Sequence, residues 1–236
     1  MTTEAERTIL AVGAHCGDIE ISCGAILAKH RRQGNRIVLF HLTLGEGGNP
    51  TMPPKQYGEQ KLREASAAAS VIGAEAMFGP YKDGEIPSSE EARRYIADVI
   101  RQVRPTHIIT HWRRSIHKDH STTHALVNDA VLLASLEGVV TSRERHRGVK
   151  ATYYAENWED SEEFRPYVYV DVTEVLSIWK ECVTQYEFLR GGISSFPYLE
   201  YYESLARVRG AEAGTQYAVA LDLDPFEKKR TVNLLP

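Results

Sequence analysis

Short apolar runs bounded by turn residues alternate along the chain with longer stretches whose apolar positions recur at helical spacing. Residues 8–14, TILAVGA, read as a buried strand, and residues 21–34, ISCGAILAKHRRQG, as a helix that stops at Gly34. A second strand, RIVLFHLTL, leads through the loop GEGGNPTMPP into a helix over 57–73 closed by Gly73. A short strand at 76–79 and the turn YKDGEIP precede a helix over 88–105, with serine at its N-cap and acids in its first turn. The strand THIIT is followed by HWRRSIHKD and a helix through 124–138. The last third is less regular, with strands over 151–156 and 167–172 and helices over 172–189 and 198–210. Such alternation predicts crossovers in a mostly parallel sheet. No repeat, low-complexity segment or Pro/Gly/Ser-rich linker divides it, so residues 1–236 read as a single α/β, Rossmann-like domain with flanking helices.

Composition narrows the class only a little. Charged residues make up 25% and apolar residues 42% of 236, ordinary for a soluble globular protein. A net charge of −4 and scattered basic residues give no electrostatic footprint for nucleic acid or an anionic membrane. The start, MTTEAERTIL, has no basic segment followed by an apolar core, and no run is long enough to span a membrane. Three cysteines, Cys16, Cys23 and Cys182, do not suggest a disulfide framework. The expected compartment is the cytoplasm, and a homo-oligomer is compatible with all of this.

The chemistry gathers in two segments. In VGAHCGDIEISCG, residues 12–24, the glycines Gly13, Gly17 and Gly24 have the wrong spacing for a dinucleotide fingerprint, and the second strand ends without an acid. What remains is His15 and Asp18 at the carboxyl end of the first strand, where open α/β sheets bind ligands. Taken alone, they are a cap and a surface side chain. The segment HWRRSIHKDHSTTH, residues 111–124, holds four of the nine histidines and emerges from another strand at the same sheet edge. His120 then supplies a third ligand, giving a His2Asp set with a position open for water. His117 beside it suits an acid or an electrostatic stabiliser, with Asp119 to fix its tautomer. His124, His107 and His111 read as structural, and His30, His41 and His146 as surface or packing residues.

On these residues the sequence resembles the LmbE/PIG-L family of zinc-dependent de-N-acetylases, which remove acetyl groups from N-acetylglucosamine conjugates. The family motif A-H-P-D-D-x-E is matched at Ala14, His15, Asp18 and Glu20, and H-P-D-H at His117, Asp119 and His120. TLGEGG, KLREASAAASVIG and YKDGEIP fall where the family has its T-x-G-E loop, R-x-x-E helix and D-G turn. ARVRGAEAGTQYAVAL is similar to its R-x-x-G…Y-A-E segment, with Val219 at the expected acid. The resemblance implies Zn2+, or another divalent ion, on His15, Asp18 and His120. It implies that His117, oriented by Asp119, steadies the oxyanion or protonates the leaving amine. Arg63, Asp83 and Glu46 would line the substrate pocket. The implied substrate is a small amino sugar or glycoconjugate, cleaved at its N-acyl amide by a metal-activated water.

One departure bears on all of this. The family places its general base immediately before the ligand aspartate, and here that residue is Gly17, preceded by Cys16 instead of proline. General-base assistance is worth about 10²–10⁴ in rate. Glu20, Glu46 or Asp119 could substitute, or Asp18 could take the base role with Cys16 on the metal. Lowering of the water pKa by the ion could also suffice. The alternatives are a base-deficient homologue that binds metal and an amino-sugar or thiol-conjugate ligand without efficient deacetylation, and an enzyme that keeps the zinc but changes the reaction.

Overall fold

The computed structural model describes residues 7–228. The N-terminal residues 1–6, on which most of the expectation about a leader rests, lie outside it. In chain order the elements are β1 (Thr8–Gly13), α1 (Asp18–Arg32), β2 (Arg36–His41), α2 (Pro54–Ile72), β3 (Glu75–Phe78), α3 (Glu90–Val103) and β4 (His107–Thr110). There follow α4 (Lys118–Ser135), β5 (Ala151–Ala155), β6 (Val168–Asp171), α5 (Leu176–Val183), α6 (Tyr198–Ala213) and β7 (Ala218–Leu223). Ser89 caps α3 as expected, its hydroxyl accepting from the Ala92 N–H at 3.2 Å.

The strands form one seven-stranded sheet in the order β3-β2-β1-β4-β5-β7-β6. The first five are parallel, and β7 runs antiparallel to both β5 and β6. Helices cover both faces, which is why the central strands are apolar without a break. Along β1, Ile9 and Ala11 face a core built with α1, α2 and α5, whereas Leu10 and Val12 face one built with α3 and α4. The order of strands reverses between β1 and β4. Their carboxyl ends therefore splay apart and leave the crevice where such sheets bind ligands.

Two differences from the expected pattern lie in the last third. The sequence AVALDL forms β7 and is inserted between β5 and β6. The long helix expected over 172–189 is confined to α5, with single 3-10 turns at Thr173–Val175 and Phe188–Arg190. The Asp171 carboxylate accepts the Thr173 N–H at 2.9 Å and holds a turn before the helix, and Gly191 takes φ +85° after it.

Opposite the site, the C-terminal end of α4 is held by one side chain. Arg101 on α3 is 4% exposed and donates to the carbonyls of Leu133, Ala134, Leu136 and Arg143. Three of those carbonyls end α4 and the fourth lies in the segment after it, so the guanidinium ties the helix end to the chain that follows. Arg101→Met should lower stability by about 2–4 kcal/mol, read as a shift in urea midpoint with an unchanged m-value.

Candidate metal centre and active site

The turn between β1 and α1 carries the first cluster. Gly17 sits at the N-cap of α1 with φ +105°, a conformation open to glycine and strained for other residues. That turn lets Asp18 fold back, so that its Oδ2 accepts the backbone N–H of His15 at 2.8 Å. The same oxygen lies 3.2 Å from His15 Nδ1, 3.2 Å from His111 Nε2 and 3.4 Å from His120 Nε2. His111 follows β4, and His120 lies in the first turn of α4. Two neighbouring strands thus deliver their loops to one carboxylate.

Hydrogen bonds assign the ring protons. The Ala14 N–H donates to His111 Nε2 at 3.0 Å, leaving Nδ1–H of that ring for Asp160 Oδ2, also at 3.0 Å. His120 Nδ1 donates to Asp160 Oδ1 at 2.9 Å, which leaves its Nε2 facing Asp18. Asp160, fully buried just beyond β5, therefore orients two imidazoles at once. His111 has both nitrogens committed and is a positioning residue, whereas His120 presents a nitrogen to the centre.

His15 is bracketed by acids. Beyond Asp18, its Nε2 lies 3.1 Å from Asp83 Oδ1 and 3.4 Å from Asp119 Oδ2, and Nε2 has no hydrogen bond of good geometry despite being buried. Three overlapping groups, His15/His117/His120, Asp18/His111/His120 and His15/Asp83/Asp119, each keep their donor atoms within 4.8 Å of one another. Imidazoles and carboxylates in such a set suit zinc and other borderline divalent ions. His15 Nε2, a buried ring nitrogen without a hydrogen-bond partner, faces the Asp83 and Asp119 carboxylates while its Nδ1 faces Asp18, so donors for a cation stand on both sides of the ring. The residues fit the ion.

The electrostatics favour positive charge on the two histidines that flank Asp18. Burial alone would lower the His120 pKa, but the Asp18 and Asp160 carboxylates outweigh it and push it up to about 10. His15 is likewise raised against its burial by Asp18, Asp119 and Asp83. Burial opposes ionisation of Asp18, yet the charges of His120 and His15 hold it well below the usual carboxylate range. His117 goes the other way, lowered by burial and then by its neighbours His15 and His120, so it stays neutral at pH 7.

The remaining expected residues are placed as follows. Asp83 lines the cavity, its Oδ2 accepting the Gly47 N–H at 3.0 Å. Glu46 stands behind it and accepts the Asp83 N–H at 3.1 Å. Asp119 does not hold His117 through its carboxylate. That group turns to His15 and to the Gly84 N–H at 2.7 Å, while the Asp119 N–H donates to His117 Nδ1 at 3.2 Å. The tautomer of His117 is still fixed, with its proton on Nε2. Arg63 is exposed and does not line the cavity. Two residues apart on a helix is a rotation of about 200°, and it is Lys61 that faces inward.

None of the three expected substitute bases lines the cavity. Glu20 is fully buried beneath it, accepting the Tyr186 hydroxyl at 2.5 Å. Cys16 lines the cavity, but burial drives its pKa far up and keeps it a thiol. The sequence reading missed Lys61, Phe188, Glu159 and Asp160. Only the last two carried a signal, as acids (NWED) directly after a strand at the same sheet edge. The cavity itself measures about 400 Å³ and is lined at the centre by His15, Asp18, His117 and His120.

Fold and site define a class, an α/β scaffold with a cluster of histidines and carboxylates at the carboxyl edge of its sheet. The chain belongs to the PIG-L family, GlcNAc-PI de-N-acetylase, whose sequence model matches residues 10–131. It is 26% identical over 217 residues to a 4-oxalmesaconate hydratase of Pseudomonas putida, covering 88% of this chain and 81% of that one. It is 30% identical over 155 residues to a 1D-myo-inositol 2-acetamido-2-deoxy-alpha-D-glucopyranoside deacetylase of Acidothermus cellulolyticus. That match covers 53% of this chain, which spans about half the length of that relative. Among solved structures, GalB, the 4-carboxy-2-hydroxymuconate hydratase of Pseudomonas putida KT2440, superposes with a TM-score of 0.86 at 24% identity. The superposition covers 97% of this chain and 100% of GalB, and it shares the fold.

Two predictions follow from the geometry. A Cβ on residue 17 would stand 2.7 Å from Phe188 Cζ, and its φ is strained for any side chain, so Gly17→Asp should cost about 1–3 kcal/mol. Denaturant unfolding checks this, and Phe188→Ala added to it should recover part of the loss. Zinc must displace protons from His15 and His120, so its stabilisation in thermal melts should shrink from about pH 8 to about pH 6 and vanish in His120→Ala. With chelator present the sign reverses. The raised pKa of His120 stabilises the fold fully below about 6.5, and that contribution is lost as pH rises through about 10.

Proposed function

We propose that the chain is a cytoplasmic, metal-dependent hydrolase that cleaves the N-acyl, most simply N-acetyl, amide of a small amino-sugar-type substrate. The observation that carries the reading is the meeting of His15, Asp18 and His120 at the cavity floor, beside His117 with its ring proton on Nε2. Membership of the PIG-L family and the deacetylase among the relatives support it. His15, Asp18 and His120 would hold the ion, zinc being the first choice. A divalent ion there supplies Lewis acidity and makes water a stronger nucleophile at neutral pH.

The chain's own groups complete the reaction. His117, its Nδ1 occupied by the Asp119 N–H, donates from Nε2–H to the carbonyl oxygen as negative charge develops on it. Two acids line the cavity close to the centre with a side chain able to take the proton of the attacking water. Asp83 is committed, one oxygen to His15 and the other to Gly47. Glu159 is not. Its nearest partner is His120 Nδ1 at 3.5 Å, which already pairs with Asp160. Burial also raises the Glu159 pKa above the ordinary carboxylate value, the direction that makes a carboxylate a stronger base. Water oxygen adds to the acyl carbon, the C–N bond breaks, and the proton held by Glu159 passes to the leaving nitrogen. Asp83, whose oxygens also meet His15 and Gly47, would accept a substrate hydroxyl.

A second reading is favoured by one observation, the relative that overlaps 88% of the chain and is a hydratase, taken with the absence of a side chain at residue 17. The same centre would then add water across a carbon–carbon double bond conjugated to a carbonyl. The experiment separates the two. Zinc-loaded protein should release acetate from an N-acetylglucosamine conjugate, His120→Ala should abolish the release, and Glu159→Gln should lower kcat by about 10²–10⁴. Absence of acetate from a panel of N-acetyl amino sugars, together with loss of ultraviolet absorbance from unsaturated oxo-acids, would replace the first reading by the second.

A further inference from the structure

Lys61 is the one lysine or arginine among the described residues lining the cavity, and it is only 4% exposed. Its Nζ donates to the Cys16 carbonyl at 2.5 Å and lies 3.9 Å from the centroid of the Phe188 ring and 4.9 Å from that of Tyr186. It forms no ion pair with any described residue. An ammonium has three donors, and one backbone carbonyl uses one of them. Taking such a charge out of water costs several kcal/mol, and one carbonyl with two ring faces, at about 0.5–2 kcal/mol each, does not offset it. A neutral amide side chain would satisfy the carbonyl at far smaller cost. The cation is therefore kept for something that enters the cavity.

Its position is the one left by residue 17. A Cβ there would stand 3.7 Å from Lys61 Nζ, with Phe188 filling the space between. Where residue 17 offers no side chain, the cavity has instead a positive charge and an aromatic wall. We propose that Lys61 anchors a carboxylate of the substrate at a subsite bounded by Gly17, Phe188 and Tyr57, so that the chain selects a small molecule carrying a single anionic group beside its reactive carbonyl. A phosphate dianion calls for several converging donors, and away from the His/Asp centre the cavity offers one ammonium, opposed by Asp83 and Glu159. One negative charge matches one ammonium. The carboxylate narrows the substrate class of the function proposed above, and it rests on that reading only for where the reacting group sits.

Calorimetric titration of the zinc-loaded protein with succinate, and with butane-1,4-diol as a neutral compound of the same length, tests the subsite. Neither probe can be hydrolysed, so the outcome is independent of whether the chain is a deacylase. Succinate should bind at least about tenfold more tightly than the diol. Lys61→Met and Lys61→Gln should weaken succinate by about tenfold or more, with zinc content and circular dichroism unchanged, and Lys61→Arg should restore it to within about threefold. Equal affinities for succinate and the diol, or no succinate binding at all, would overturn the proposal without any variant. Succinate affinity unaltered by either Lys61 substitution would mean that the probe sits on the ion alone, and would overturn it equally.

Discussion

One carboxylate oxygen, Asp18 Oδ2, organises this molecule's chemistry. Within 3.4 Å it meets nitrogens of three imidazoles, and it also accepts a backbone N–H of its own turn. So many nitrogens around one buried oxygen hold together only if cations, protons or a metal ion, sit among them. The fold supplies the geometry. β1 and β4 are neighbours whose crossovers run to opposite sides, so the loops after them face each other across the switch point. β5, next in order, brings Asp160 beneath His111 and His120 and leaves neither ring free to turn.

Around that hub three residues from separate parts of the chain are packed together. Gly17 is required by its own backbone angle and by the ring of Phe188, which fills the space a side chain would need. Phe188 in turn lies against Lys61. The three residues come from the β1–α1 turn, from α2 and from the segment after α5, so a change at one is felt by the others. Residue 17 offers no side chain to the centre, while Glu159 lines the cavity with no committed partner. In the proposed reaction the proton is handled from the loop after β5.

Much of this was legible in the sequence, and the limits have physical reasons. The parallel half of the sheet declared itself because both its faces are buried, giving unbroken apolar runs between helical stretches. His15, Asp18 and His120 could be grouped because strands of a parallel sheet end on one edge. Residues known only through family spacing fared less evenly. Asp83 reaches the cavity, whereas Arg63 points away because a helix rotates about 100° per residue. Lys61 and Phe188 gave no local signal, since their meaning depends on a contact across 127 positions of chain. β7 was hidden because AVALDL has a composition that serves a strand or a motif segment equally well.

The central claim is that His15, Asp18 and His120 grip one divalent ion. X-ray absorption at the zinc edge of the loaded protein tests it most directly. The account predicts one zinc per chain, with two imidazole nitrogens at about 2.0–2.1 Å and carboxylate or solvent oxygen at about 2.0–2.2 Å. It also predicts loss of one imidazole in His120→Ala. A shell without imidazole, a sulfur ligand at about 2.3 Å, or a spectrum unchanged by that substitution would contradict it.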